Sequence, residues 1–118
     1  TIQPEDVRTL QKISTSPEMP ASKRILSVYM LGESSAGAEA LREFLISEIE
    51  LKNNAEPHSL DETSNGKEKA LRVMAIEQLI HNSKSPMEAR QRLSKLIPEI
   101  KDPWLKHFAQ KRLNEIIQ

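Results

Sequence analysis

The chain has 118 residues, which is enough for one domain with a hydrophobic core and too few for two. It contains no cysteine, so disulfides and thiolate metal sites are excluded. Its formal net charge is zero at neutral pH, which excludes the overall basic character typical of nucleic-acid-binding domains.

The first predicted helix begins at Pro4 and ends near Ser14. Proline suits the first turn because its missing N–H has no helical partner there, and the two acidic residues that follow it favour the positive end of the helix dipole. Pro17 and Pro20 interrupt the pattern, and Pro20 is predicted to open a second helix that ends near Glu33. Apolar residues cover nearly the whole circumference of this second helix, which predicts a buried helix. They are Ile25, Leu26, Val28, Tyr29, Met30 and Leu31.

A third helix is predicted from about Ala38 to Lys52, after a turn rich in glycine and serine at residues 32–37. Residues 53–66 lack a helical pattern and contain Pro, Gly and Asn, so they are predicted to form a flexible surface loop. His58, with the acidic residues near it, could chelate a metal weakly, but a solvated loop is the preferred interpretation.

A fourth helix is predicted from a cap at Asn65 to about His81. Its apolar residues also cover most of its circumference, so it should be central. His81 lies in the last turn, where a cation suits the negative end of the dipole, and a capping role is favoured over catalysis.

Strong local signals define the last two helices. Ser85 can cap a fifth helix, with Pro86 in the first helical position and Glu88 closing a capping box. Pro98 should kink this helix or end it early because proline cannot donate the helical hydrogen bond. Asp102–Pro103 repeats the cap-plus-proline start for a sixth helix.

No segment alternates apolar and polar residues long enough to form a strand, and aromatic residues make up only 3% of the chain. The fold is therefore predicted to be all-α, with an aliphatic core and about six helices in one domain. Three helix pairs are predicted, at about residues 1–34, 35–83 and 84–118. A compact irregular helical bundle is the alternative.

Three helices share one pattern: a cation, a small residue three positions later, and a leucine four positions after that. The copies begin 48 and 34 residues apart, at positions 24, 72 and 106. Such spacing is typical of stacked helical repeats. The copies are Arg24, Ser27 and Leu31; Arg72, Ala75 and Leu79; and Lys106, Ala109 and Leu113.

This pattern resembles the second helix of HEAT-type, armadillo-like repeats, which often has an acid near its start. Glu68 and Asp102 stand four residues before Arg72 and Lys106, where the acid of that family often stands, whereas the first copy has Pro20 there. The resemblance implies a right-handed stack of helix pairs whose second helices line an inner, often partner-binding surface. It implies no catalytic activity. The first helices align at the same 48-residue offset, Leu41, Leu45 and Ile49 with Ala89, Leu93 and Ile97.

The repeated cations have two interpretations. In the structural one they pair with Glu68, Asp102 and backbone carbonyls, and this one is favoured because an acid four residues away already supplies a partner. In the functional one they line the inner face and bind an acidic segment of another protein. The candidate binding residues on this second interpretation are Arg24, Arg72, Lys106 and Lys111.

Charge is unevenly distributed along the chain. Residues 1–83 hold nine Lys and Arg against thirteen Asp and Glu, a net of −4, and residues 84–118 hold eight against four, a net of +4. A solvated surface is favoured over a nucleic-acid site, because Trp104 and Phe108 are predicted to pack in the core instead of interleaving with the cations. The cations of this second patch are Arg90, Lys95, Lys101, Lys106, Lys111 and Arg112.

No catalytic, metal-binding or cofactor-binding motif is found, so the chain is predicted to be non-enzymatic. No apolar run reaches the ~20 residues of a membrane span. Because the chain begins at Thr1, an upstream segment is expected to have been removed, and neither the compartment nor the oligomeric state is predicted. The predicted function is that of an interaction or scaffold module that binds a peptide or helix, acidic on the functional interpretation of the cations. The alternative is a structural or regulatory bundle within a larger secreted or envelope protein.

Overall fold

The structure, a computed structural model, describes residues 4–16, 18–34, 36–47 and 60–116. Within these residues the chain forms six α-helices, one 3-10 helix and no strand, so the predicted all-α class is confirmed. The helices are α1 (Pro4–Thr15), α2 (Ala21–Gly32), α3 (Gly37–Ile46), α4 (Leu60–Asn82), α5 (Pro86–Leu96) and α6 (Pro103–Glu115), and the 3-10 helix is Ile97–Glu99.

The predicted caps of α5 and α6 are confirmed. Ser85 Oγ accepts a hydrogen bond from the Glu88 N–H at 3.1 Å, and the Asp102 carboxylate accepts one from the Leu105 N–H at 2.8 Å. The Glu88 carboxylate accepts from the Lys84 N–H at 3.2 Å, one residue before the cap, so the reciprocal half of the capping box is displaced by one position. A proline follows each cap, where its missing N–H breaks no helical bond.

Pro98 ends α5 as predicted. The α-helix stops at Leu96 and tightens into the 3-10 helix, which closes with a hydrogen bond from the Ile100 N–H to the Ile97 carbonyl at 3.2 Å. An α-helix through this point would need Pro98 to donate to the carbonyl of Ser94, and proline has no N–H to donate.

Two predicted boundaries are wrong. The predicted loop at 53–66 is helical from Leu60 onward. Once the later part of α4 has formed, adding further helical residues costs less free energy than starting a helix, and residues 60–66 contain no proline that would stop it. Residues 53–59, including His58, lie outside the described part. The third helix was predicted to continue to Lys52, but α3 ends at Ile46 because Ser47 is extended (φ −71°, ψ 153°); residues 48–52 are likewise outside the description.

Sequence-adjacent helices pack in pairs, α1 with α2, α3 with α4 and α5 with α6. The second helix of each pair (α2, α4 and α6, hereafter the second helices) also packs against the next one, α2 on α4 and α4 on α6. This adjacency is what stacked pairs require, whereas the superhelical stacking of a HEAT-type array stays a prediction. The radius of gyration, 14.3 Å, is close to the roughly 13.5 Å of a compact domain of this length, and the molecule is flattened, with extents of 45 × 32 × 19 Å.

The small residue of each repeat copy is buried, as the pattern predicts. Ser27, Ala75 and Ala109 have almost no exposed surface, and the side-chain volume of each is small enough to let two helices approach closely. The leucines at the next repeat position are buried in α2 and α4 and partly buried in α6. The core is aliphatic apart from Phe44, which is fully buried.

Candidate functional site

Helix α2 buries one side and exposes the other. Arg24, Ser27, Val28 and Leu31 recur at three- and four-residue intervals and form its buried stripe. The prediction that α2 is buried all round is therefore wrong, because its neighbours α1, α3 and α4 cover only that stripe. The opposite side is apolar and between 38% and 59% exposed at each position; its residues are Ile25, Leu26, Tyr29 and Met30.

A groove of about 270 Å³ runs between α2 and α4, beside this exposed side. Ala21 and Ala70 leave it open because their side chains are too short to fill the space between the helices. Ile25 of α2 and Met74 of α4 form apolar walls, and Ile25 therefore belongs to both the groove and the exposed side of α2. The groove and the exposed side form one continuous apolar surface.

The two helices that form the groove run in the same direction. Ala21, the first residue of α2, lines the groove together with Ala70 of α4. Asn82, the last residue of α4, contacts Gly32, the last residue of α2. The Asn82 side-chain amide donates to the carbonyls of Gly32 (3.0 Å) and Ser34 (2.6 Å). These two bonds hold the C-terminal end of α2 against α4.

The helices α2 and α4 also approach each other closely near the C-terminal end of α2. A Cβ on Gly32 would lie 2.1 Å from Gln78 Oε1 and 2.8 Å from Gln78 Cβ, so only glycine fits there with this Gln78 rotamer. His81, in the last turn of α4, places Nε2 3.1 Å from the Glu33 carboxylate. Both groups of that pair are exposed, so the contact contributes little to stability.

Below the groove lies a buried ion pair. Arg24 donates two hydrogen bonds to the Glu68 carboxylate, Nη1 to Oε2 at 2.6 Å and Nη2 to Oε1 at 3.0 Å. Its Nε and Nη2 also donate to the Ser14 carbonyl at 3.0 and 2.8 Å. Arg24 therefore connects the end of α1 to α4 through α2.

Arg72 lies on the other side of the same carboxylate. Its Nε is 3.4 Å from Glu68 Oε1, and its Nη1 and Nη2 donate to the carbonyl (2.6 Å) and hydroxyl (3.1 Å) of Ser47. Burial lowers the pKa of the Arg72 guanidinium, while the Glu68 carboxylate and, more weakly, that of Asp102 oppose the shift. The guanidinium also lies 4.8 Å from the centre of the Phe44 ring. These two bonds hold Ser47, the extended residue that follows the last residue of α3.

The four predicted binding residues do not form one surface. Arg24 and Arg72 are 8% and 2% exposed, share Glu68, and have the contacts that the structural interpretation expects. Lys106 and Lys111 are exposed on α6, and their side chains have no partner within the described residues. Lys106 therefore departs from the buried cations of the first two copies, and a role for it or for Lys111 in binding stays a prediction.

Trp104 is not a core residue, contrary to the prediction. It is 48% exposed and stacks on Phe108, with ring centres 6.0 Å apart and planes 8° from parallel. Lys69 of α4 places Nζ 5.3 Å from the centre of the Trp104 ring. Phe108 is half-buried and packs on the core, as predicted. Position 104 lies beside the buried 105/109 stripe of α6, which is the sequence signal that could have placed it at the edge.

Two cations of the predicted second basic patch are used within the fold. Arg112 donates to the Glu77 carboxylate through Nε (2.6 Å) and Nη2 (2.8 Å), which ties α6 to α4 and raises the pKa of the Arg112 guanidinium. Arg90 donates to the carbonyls of Leu113 and Ile116, both at 2.9 Å, and so satisfies the end of α6. The lysines of this patch are exposed.

Within the described residues, no helix combines the length and the hydropathy that crossing a bilayer requires. Comparisons with protein-family models, with curated proteins and with solved structures found no match to this chain.

Proposed function

We propose that this chain is a non-enzymatic protein-interaction module that binds an amphipathic helix or a peptide on the face formed by the second helices. The observation that carries the proposal is the exposed apolar side of α2 together with the adjoining groove. Soluble domains rarely leave a contiguous apolar surface uncovered, and one that borders a groove is typical of a docking site.

The dimensions of this surface favour a peptide over a large globular partner. It is one helix and one groove wide, whereas a stable interface between two folded proteins buries about 800 Å² on each. Ile25 and Tyr29, and likewise Leu26 and Met30, are four residues apart and therefore project in line along α2. Two such rows match the i, i+3, i+4 and i+7 apolar positions of an incoming helix.

Charge on the same face favours an acidic partner. Residues 21–32 of α2 contain no acid, and the exposed Lys23 side chain has no partner within the described residues. A partner with a carboxylate beside its apolar positions would gain from Lys23 mainly in association rate and specificity.

The proposal is tested by selecting phage-displayed random peptides of about 16 residues, long enough for four helical turns, against the folded protein. Binding of each selected peptide is then measured by fluorescence anisotropy with wild type, Leu26→Glu and Met87→Glu. Met87 is a matched control because it is equally exposed and apolar but lies on α5.

We expect Leu26→Glu to weaken the selected peptides by at least about tenfold and Met87→Glu to leave them unchanged. Peptides that bind both variants equally well, or the absence of any selected peptide, would contradict the proposal. The second of these results would favour the alternative, in which the chain is a structural bundle whose α2 side is covered by another part of a larger protein.

A further inference from the structure

A second concave site lies on a different part of the molecule, between the N-terminal half of α3 and the helix α5. It is an open cleft of about 490 Å³, within the range of small-molecule sites in proteins. Leu79 and Leu96 form its floor and are almost fully buried by the surrounding helices. Ala36 and Ala38 line one wall, and their short side chains keep the cleft open.

The rim of the cleft carries three cations and one carboxylate. Arg92 is fixed in place by hydrogen bonds from Nη1 to Asn82 Oδ1 (3.0 Å) and Ser83 Oγ (3.2 Å), and Nη2 lies 3.1 Å from the Glu88 carboxylate. These contacts already use Arg92 within the fold, so it forms a fixed part of the rim.

Arg42 and Lys95 are more available. Arg42 contacts the carboxylates of Glu39, at 3.2 Å, and Glu99, and both acids are exposed. Exposed ion pairs of this kind contribute at most about 1 kcal/mol each, so another anion can compete for the guanidinium. The exposed Lys95 side chain has no partner within the described residues.

We propose that this cleft binds an organic carboxylate with an apolar body. The carboxylate is held at the rim by Lys95 and Arg42, and the apolar body lies against Ala36 and Ala38 above the small exposed parts of Leu79 and Leu96. The inference is independent of the proposed peptide-binding face, which lies on α2.

The same chemistry occurs in a free carboxylic acid and in the C-terminal carboxylate of a peptide with an apolar last residue. Isothermal titration calorimetry with octanoate tests the first source, and titration with an acetylated pentapeptide ending in leucine tests the second. Octanol and the C-terminally amidated peptide are the matched probes without the charge. The acid that binds more tightly identifies the source, and saturable binding of either one supports the site.

Three variants test the location. Lys95→Glu reverses the free cation and is expected to weaken the acid by at least about tenfold, and Ala36→Trp is expected to abolish binding by filling the cleft. Lys101→Glu is the control, since this exposed lysine lies outside the cleft. All three positions are exposed, so the variants should fold, which circular dichroism checks.

The proposal is overturned if neither acid binds saturably. It is also overturned if the uncharged probes bind as tightly as the acids, or if Lys95→Glu and Lys101→Glu bind the acid equally well.

Discussion

Replacing Glu68 with alanine should be far more damaging than the loss of one surface carboxylate. Glu68 is the shared partner of Arg24 and Arg72, and all three side chains are buried. Without it the two guanidinium groups lose the carboxylate that lies between them, although their hydrogen bonds to backbone carbonyls and to the Ser47 hydroxyl can remain. Removing one partner of a buried pair costs about 3 to 5 kcal/mol, a large part of the 5 to 15 kcal/mol typical of a whole domain.

Urea unfolding followed by circular dichroism measures this cost directly. Glu77→Ala is the matched control, because Glu77 also binds an arginine through both oxygens, but the pair is partly exposed. It should cost at most about 1 kcal/mol. Glu68→Gln keeps two polar atoms in place without the charge, so its free energy of unfolding should lie between those of wild type and Glu68→Ala. Equal effects of Glu68→Ala and Glu77→Ala on that free energy would refute the reasoning.

Two further substitutions test the packing, each read as the urea midpoint. Gly37→Ala should destabilise by about 1 to 3 kcal/mol although alanine favours helices, because its Cβ would lie 1.9 Å from the Leu31 carbonyl oxygen. Gly66→Ala places its Cβ in open space within α4 and should instead stabilise by up to about 1 kcal/mol. A change of the same sign in both variants would contradict the packing. Ala75→Asp should cost more than about 4 kcal/mol because it places a charge at a fully buried contact, and near-normal stability would show that position 75 is not enclosed.

Features set by neighbouring residues in the chain could be predicted from the sequence. Ser85 and Asp102 cap their helices, and Pro98 ends α5, because each effect depends on hydrogen-bonding groups within four residues. The buried small residues of the repeat could also be predicted, since they lie on the helix faces that the apolar residues define.

Features set by distant residues could not be predicted in the same way. The apolar residues of α2 surround the helix, and nothing local shows that neighbours cover only the Val28 side and leave Leu26 exposed. The sequence spacing pairs Glu68 with Arg72, but the shorter hydrogen bonds of Glu68 are with Arg24, 44 positions earlier in the chain. The position of Trp104 on α6 indicates the edge of the buried stripe, but its contact with Lys69 depends on how α6 packs against α4.

The same limit applied to the two concave sites. The groove needs Ala21 and Ala70 side by side, and the carboxylate-binding cleft needs Lys95 near Arg42 of another helix. Neither juxtaposition follows from sequence spacing, because it depends on which helices become neighbours. The cation pattern led instead to Arg24 and Arg72, whose regular spacing reflects contacts that stabilise the interior.

The most direct measurement for the proposed binding face is the rate at which single cysteines on α2 are alkylated, because the natural chain contains no cysteine that would react. Leu26→Cys, on the exposed side, should react at a rate close to that of Met87→Cys and should become protected when a selected peptide is bound. Val28→Cys, on the buried stripe, should react at least about a hundredfold more slowly because labelling there requires local opening of the helix. If the cysteines at positions 26 and 28 were alkylated equally slowly in the free protein, α2 would have no exposed apolar side and the proposed docking surface would not exist.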